Sequence, residues 1–315
     1  MLAAIPPPPF QGLELGPLDV RLYGIVIAVG AYFALRMAVS RYEASGGDAD
    51  TAEKAVLLAL LFGFLGGRIG YVIPRFLWGP SPFIERPQDI LAIWQGGLAF
   101  FGGLVGGALA VIVYVHRQRA DLPAMTDAIA PALPLAQAVG RWGNYFNQEL
   151  FGRPTDLPWA LRVDPVPASA AARFPGATTF HPTFLYESLW NFALVWVILR
   201  IDRAGLLRRR GSLIFVYLIG YGLGRGWIEA LRVDTVQRYF GLSRNNWIAI
   251  AVVLIGVIGL RWWESRGHAD IAPHATDETL SPEATAVDEY NEHDGADSLG
   301  DDPADGDADD DPPPA

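Results

Sequence analysis

The chain has 315 residues, a formal net charge of −10 at pH 7, no cysteine and 51% hydrophobic residues. The absence of cysteine excludes a disulfide framework, thiol catalysis by the protein and any Cys-ligated zinc or iron–sulfur site. The mean hydropathy of +0.23 excludes a chain that is disordered throughout.

The charge is unevenly distributed along the chain. Residues 270–315 carry sixteen Asp and Glu and no Lys or Arg, so the preceding part holds 18 acids against all 24 bases, a net charge of +6. An acidic run with few apolar residues repels itself and cannot bury a core. We therefore predict that 268–315 is a disordered acidic tail, either solvated or bound to a partner.

Seven segments of the basic body are apolar enough to be membrane helices, which need roughly 20 mostly apolar residues. We predict an all-α polytopic membrane protein with about seven transmembrane helices. The windows are 22–39, 55–73, 97–115, 125–139, 185–199, 212–230 and 247–263. The fourth window contains Asp127, Pro131 and Pro134, so it can cross only if helix ends or neighbours cover those groups.

Basic residues follow alternate helices, and such loops are typically cytoplasmic. We therefore expect the N-terminus outside, a small extracytoplasmic head at about 142–183, and a cytoplasmic tail. Residues 1–20 lack a basic start and a small-residue cleavage site, so they are interpreted as an extended extracytoplasmic lead-in to a membrane domain at 21–267. The basic residues in question are Arg36, Arg41, Lys54, Arg117, Arg119, Arg200, Arg203, Arg208, Arg209, Arg210, Arg261 and Arg266.

Two glycine-rich pieces occur at 66–70 and 96–107, and in the second the pairs Gly102/Gly106 and Gly103/Gly107 have small-xxx-small spacing. This spacing favours close helix packing, with backbone binding of an anion as the alternative. No nucleotide-binding loop, zinc motif or nucleophile elbow occurs, so we predict no metal, no cofactor and no nucleic-acid partner.

The sixth window contains charges that are costly at bilayer depth. Tyr221, Arg225, Glu229 and Arg232 follow at steps of four, four and three, which places them on one helix face. The pattern indicates either a structural ion pair between Arg225 and Glu229 or a cavity for an anionic group with Arg as its ligand.

Two further polar segments lie near predicted helix ends, and a lone cation lies in the second helix. The first polar segment, 140–154, combines Arg141, Asn144 and Glu149 with aromatic residues, a composition suited to a polar headgroup. In the second, His181 is either structural or a base, and Glu187 is expected about one turn inside the membrane. Arg68 has no partner in its own helix.

These residues resemble the prolipoprotein diacylglyceryl transferase family over roughly 17–263. The stretch GRWGNYFNQELFG at 140–152 resembles the family signature, with Tyr145 where the family usually has Phe. The agreement continues along the rest of the membrane body, and the acidic tail lies outside it. The agreeing residues include Tyr23, Gly24, Gly66–Tyr71, Trp94–Gly97, Asp127, His181, Pro182, Leu185–Glu187, Gly220–Gly222, Arg225, Glu229 and Arg232.

The resemblance implies a bacterial inner-membrane enzyme with its active site toward the outer leaflet. It implies transfer of the diacylglyceryl group of phosphatidylglycerol to the lipobox cysteine of a preprolipoprotein signal peptide. The products would be a thioether and glycerol 1-phosphate, in the first step of lipoprotein maturation. Partners would then be phosphatidylglycerol, the signal peptide and membrane lipids.

Site residues are carried over position by position. The expected catalytic residues are Arg141, Arg225, Glu229 and Tyr23, and the expected substrate-binding residues are Asn144, Glu149, Gly152, Tyr221, Arg232, Arg68 and His181. Phe101 occupies the place of a family histidine proposed to move a proton, which excludes a base at that position. Glu229, Glu149 and Tyr221 remain alternative proton acceptors.

Two other functions are compatible with buried arginines. A transporter or channel for an anionic solute would line its path with them, although no internal repeat of the kind common in transporters occurs. A non-enzymatic lipid-binding scaffold is the other alternative.

Overall fold

A computed structural model describes residues 4–15, 18–77, 83, 86–92, 96–233 and 238–266. The predicted acidic tail at 268–315, together with Trp94 and Gln95, lies outside the described residues.

Seven helices of 18 residues or more occur in the described part of the chain, one at each predicted window. They are α1 (Leu22–Ala44), α2 (Ala49–Leu77), α3 (Phe100–Arg117), α4 (Leu122–Asn147), α6 (Thr183–Arg203), α7 (Leu213–Leu231) and α8 (Arg244–Glu264); α5 (Ala168–Arg173) is short, and Pro87–Ile90 is a 3₁₀ turn. The predicted all-α class is confirmed.

Five of these helices, α1, α2, α3, α6 and α8, are long and apolar enough to cross a membrane. Helices α4 and α7 carry the charges noted in the sequence. Because α4 packs against α1, α6 and α7, its polar face meets protein rather than lipid. That α4 and α7 also cross the membrane stays a prediction.

Helix α4 runs further than the predicted window. Asp121 caps its start by accepting a hydrogen bond from the Ala124 N–H at 3.0 Å, and the helix ends where Gln148 adopts a left-handed φ of 49°. Arg141 and Asn144 are therefore helical residues, although the head was expected to begin at about 142. No proline or positive-φ residue interrupts the chain between Pro134 and Gln148, which explains the extension.

Helices α2 and α3 pack through their glycines. A Cβ atom on Gly66 would collide with the carbonyl oxygen of Gly102, and one on Gly106 would collide with the carbonyl oxygen of Phe62. The close-packing interpretation of these glycines is thus correct.

The head and the N-terminal segment pack together at one end of the bundle. Short strands β3 (Leu161–Arg162) and β4 (Thr179–Phe180) pair antiparallel, and Ile5 joins them through Ile5 N–H to Ala160 O at 2.8 Å and Arg162 N–H to Ile5 O at 2.9 Å. A second hairpin, β1 (Gly12–Leu15) with β2 (Leu18–Arg21), precedes α1, and a third, β5 (Arg238–Tyr239) with β6 (Leu242–Ser243), precedes α8.

The opposite end of the bundle holds the basic loops. Arg41 pairs with Asp202 at 2.8 Å, and Arg210 pairs with Asp121 at the same distance. Asp127 accepts hydrogen bonds from the N–H groups of Gly211 and Leu213 at 2.6 and 2.9 Å, and so ties the start of α7 to α4.

Candidate active site

Three arginines converge on the carboxylate of Glu187, which lies on α6. Arg141 Nε from α4 lies 2.5 Å from Glu187 Oε2. Arg225 Nη1 and Arg232 Nη1, from α7 and its C-terminal cap, lie 3.9 and 3.8 Å from Glu187 Oε1. Three elements distant in sequence thus meet at one buried anion, whose side chain is 7% exposed.

A second carboxylate lies beside the first. Glu229 Oε2 binds Arg225 Nη2 at 2.8 Å, which confirms the i,i+4 pair expected from the sequence. Its Oε1 accepts hydrogen bonds from Asn245 Nδ2 at 2.8 Å and from Ser243 Oγ at 3.3 Å. A fully buried carboxylate needs such partners, and α8 supplies them from its first turn.

The end of α4 carries a hydrogen-bonded polar chain. Asn144 Nδ2 donates to Glu149 Oε1 at 2.9 Å, and Arg141 Nη1 lies 3.5 Å from Asn144 Oδ1. Tyr23 from α1 packs its ring against Gly143, where a Cβ atom would lie 2.7 Å from the ring. Three other residues of the predicted site, Tyr23, Asn144 and Glu149, therefore lie at this end of α4 with Arg141.

Gly152 joins the head to the end of α7. Its N–H donates to His181 O at 2.9 Å, and it forms an isolated antiparallel bridge with Arg232. A Cβ atom at this position would lie 2.7 Å from the Cβ of His181. The position therefore requires glycine for close approach rather than for its dihedral angles.

The imidazole of His181 points to another side chain. Its Nδ1 lies 3.1 Å from Tyr186 Oη, which also accepts a hydrogen bond from Trp159 Nε1 at 2.9 Å. Burial lowers the pKa of His181 below its usual value. The backbone of His181 supports Gly152, while its ring belongs to this aromatic group.

Tyr221 lies one helical turn from Arg225 on α7, toward the middle of the helix. Its ring centroid is 5.9 Å from that of Tyr217, whose Oη accepts a hydrogen bond from Gln137 Nε2 at 2.8 Å. These three side chains form a second polar layer next to the arginine cluster.

The described contacts of the Arg68 side chain lie outside the arginine cluster. Its guanidinium donates to the carbonyl oxygens of Ile90 at 2.7 Å, Gly96 at 2.7 Å and Gly97 at 3.0 Å, and also to that of Asp89. Its described contacts therefore tie α2 to residues 89–90 and 96–97, and they do not include the Glu187 cluster. Phe101 lies on α3 with 55% of its surface exposed.

Glu187 is the residue that the sequence analysis did not include among its site residues. Charge balance in the sequence could have indicated it. Arg141, Arg225 and Arg232 were expected in the site with Glu229, and buried arginines in excess need a second buried carboxylate. The segment that carries Glu187 was noted, but its neighbours come from α4 and α7, and their approach depends on tertiary packing.

The sequences of known proteins identify the family of this chain. Residues 11–262 match the family model described as prolipoprotein diacylglyceryl transferase. The chain belongs to the prolipoprotein diacylglyceryl transferase family. It is a multi-pass membrane protein, as its apolar helices and this membership indicate.

Its relatives carry the corresponding name. The chain is 41% identical over 257 residues to the phosphatidylglycerol–prolipoprotein diacylglyceryl transferase of Streptomyces griseus, covering 82% of this chain and 77% of that one. It is 40% identical over 258 residues to the protein of the same name from Synechococcus elongatus, covering 79% and 86%. A relative so named from Streptomyces coelicolor, numbered 1, is 40% identical over 259 residues, covering 82% and 73%. The family expected from the sequence motifs is thereby confirmed.

Proposed function

We propose that this protein transfers the diacylglyceryl group of phosphatidylglycerol to the thiol of a lipobox cysteine. The observation that carries the proposal is the convergence of Arg141, Arg225 and Arg232 on Glu187 at the head end of the bundle. Family membership supports the same reaction. The products are a thioether-linked lipid and glycerol 1-phosphate.

The charges of the cluster suit a phosphodiester. Three arginines and the two carboxylates that pair with them, Glu187 and Glu229, carry a net formal charge of +1. A phosphodiester carries one negative charge, so its binding neutralises the site. Arg141 and Arg225, the more exposed arginines at 25% and 18%, are the two that bind the phosphate.

The reaction forms one bond and breaks one bond. The sulfur attacks the carbon of the diacylglycerol unit that carries the phosphate. The bond between this carbon and the phosphate oxygen breaks, and its electron pair remains on that oxygen. The thiol proton leaves to a nearby acceptor, for which Glu229, Glu149 and Tyr221 are the candidates. Because a free thiol has a pKa of about 8.5 and adjacent cations lower it, part of the thiol is already ionised near neutral pH. Arginines held in a site that excludes water stabilise the charge that develops on the leaving group.

The remaining site residues take supporting roles in this proposal. Arg232 and Glu229 hold Arg225 and Glu187 in place through the contacts described above. Asn144, Glu149 and Tyr23 orient the headgroup or the peptide backbone, and Gly152 keeps the head close to α7. Arg68 orders the segment that precedes α3, and His181 positions Gly152.

We further propose that the chain lies in the bacterial inner membrane with its head and N-terminus outside and its tail in the cytoplasm. The pairing of Ile5 with the head keeps the N-terminal segment at that end. The basic loops gather at the other end, as is typical of the cytoplasmic side. The arginine cluster then faces the outer leaflet, where a signal peptide presents its cysteine.

A reconstituted assay tests the function. The purified full chain is incubated with phosphatidylglycerol vesicles and a lipobox peptide, and the peptide mass and the released glycerol phosphate are followed. We expect a diacylglyceryl adduct on the cysteine and none on a matched peptide with serine in its place. Flux of an anionic solute across the vesicles without any adduct would contradict the proposal and support a transporter.

A further inference from the structure

The second polar layer repeats the spacing of the arginine cluster one turn further into the bundle. On α7 Tyr221 precedes Arg225 by four residues and Tyr217 precedes Tyr221 by four, and on α4 Gln137 precedes Arg141 by four. Residues four apart share a helix face and lie about 6 Å apart along its axis. A ligand whose phosphate is held by Arg141 and Arg225 therefore has this layer beside its next atoms.

The hydrogen bonding of Tyr217 leaves its proton available. With Gln137 in this amide orientation, Tyr217 Oη accepts from Gln137 Nε2 at 2.8 Å, and the phenolic O–H is available to donate to a further group. The side chain is 8% exposed, and its partner Gln137 lies one helical turn from Arg141 on α4. The adjacent ring of Tyr221, at 5.9 Å, adds a second hydroxyl.

The rings of these two tyrosines pack among apolar side chains. Tyr217 and Tyr221 pack with Ala130, Leu194 and Leu213. Hydroxyl donors among apolar side chains suit an uncharged hydrogen-bond acceptor, since a buried charge would require an ion partner at that depth. In a glycerophospholipid the atoms that follow the phosphate, a few bonds further along, are the ester groups of the acyl chains.

We propose that Tyr221 and Tyr217 donate hydrogen bonds to an ester carbonyl of the donor lipid and thereby select ester-linked over ether-linked lipids. The inference rests on the proposed function, because it takes the phosphate position from Arg141 and Arg225. One turn of about 5.4 Å separates Tyr221 from Arg225 on α7, and Gln137, which binds Tyr217, from Arg141 on α4, and this matches the distance from phosphate to ester. The arginines recognise the charge of the lipid headgroup, and the tyrosines recognise the linkage of its acyl chains.

Two lipids that differ only in this linkage test the inference. Diacyl phosphatidylglycerol and its dialkyl ether analogue, with matched chain lengths, are supplied in otherwise identical vesicles, and kcat/KM for transfer to the lipobox peptide is measured. We expect the wild-type chain to prefer the diacyl lipid by about three- to tenfold, the effect of one or two neutral hydrogen bonds. Tyr217→Phe should lower the diacyl value toward the dialkyl value and leave the dialkyl value unchanged. Because Tyr221 is also a candidate acceptor of the thiol proton, Tyr221→Phe is judged by the ratio of the diacyl to the dialkyl value, which should fall.

The controls separate this role from others. Tyr32→Phe makes the same change on α1, where the side chain is 58% exposed, and should leave both values unchanged. Equal loss on both lipids in the Tyr221 variant, or no preference in the wild type, would overturn the ester assignment while the transferase activity stands. No transfer from either lipid by the wild type would contradict the proposed function itself. Tyr221 is half-buried, so its variant keeps the test valid if Tyr217→Phe fails to fold.

Discussion

Arg141 and Glu187 form the shortest ion pair of the cluster, with 2.5 Å between Nε and Oε2, and they join α4 to α6. Arg141 Nη1 lies 3.5 Å from Asn144 Oδ1, one turn further along α4. Nε of this arginine is thus held by Glu187, and Nη1 lies next to the polar residues at the end of α4.

Loss of either arginine to which we assign the phosphate should nearly abolish transfer. Arg141→Ala and Arg225→Ala each remove a donor aimed at the developing phosphate charge, and removal of one such donor costs about 10²- to 10³-fold in rate. The initial rate of peptide modification measures the effect, with membrane insertion checked in parallel. Arg117→Ala, at the exposed end of α3, is the matched control and should keep the wild-type rate. Rates within twofold of wild type in both site variants would refute the phosphate assignment.

Removal of the Glu187 carboxylate should destabilise the folded protein. Glu187→Ala leaves three arginines without their shared anion, and loss of one partner of a buried ion pair costs about 3–5 kcal/mol. Thermal unfolding in detergent measures the loss, and Glu187→Gln should show a smaller one because it keeps the volume. Asp50→Asn breaks an exposed pair with Lys54, which contributes little because water screens it, and serves as the control. A melting temperature unchanged in Glu187→Ala would show that the cluster does not hold α4, α6 and α7 together.

Gly152→Ala should lower both stability and transfer. The added Cβ would lie 2.7 Å from the His181 Cβ and 3.1 Å from Leu231 O, so the head must shift from α7, and such overpacking costs about 1–3 kcal/mol. Gly140→Ala is the control on α4, because nothing lies within 4 Å of its added Cβ. Alanine there should be neutral or stabilising by up to about 1 kcal/mol, as expected for a glycine replaced in a helix. Equal effects of the two substitutions would argue against close approach at Gly152.

Burial of His181 predicts a loss of stability in mild acid. Since its pKa is lower in the folded chain than in the unfolded chain, the unfolded state binds the proton first as the pH falls. The stability that His181 contributes is present above its unfolded pKa of about 6.5 and is lost as the pH falls below it. Thermal unfolding of wild type and His181→Gln at pH 7.5 and 5.5 measures this, and the variant should lose less on acidification. His116→Gln alters an exposed histidine and should leave the pH dependence of the wild type intact.

Helix positions and the family followed from local patterns in the sequence. Each apolar window lies largely within a helix of the structure, and the spacing of Arg225 and Glu229 predicted their contact because i,i+4 pairs need only one helix. The four-residue spacing of the glycines likewise predicted the close packing of α2 and α3.

The composition of the site required information that no local pattern carries. Glu187 meets Arg141 and Arg225 only because α6 packs against both α4 and α7. The function of Arg68 depends on backbone carbonyls at 89–97, which have no side-chain signature, so a lone cation in an apolar window looked like a ligand for an anion. The length of α4 was underestimated because its last two turns are polar, whereas hydropathy reports only the apolar part of a helix.

The hydrogen bonds from Gly211 and Leu213 to Asp127 act at the end of α7 opposite to the arginines. They fix the helix along its axis, because both N–H groups belong to its start and the carboxylate belongs to α4. A slip of one residue would move Arg225 by about 1.5 Å and rotate it by about 100°, away from Glu187. Asp127 thus sets the register of Arg225 from the opposite end of the helix.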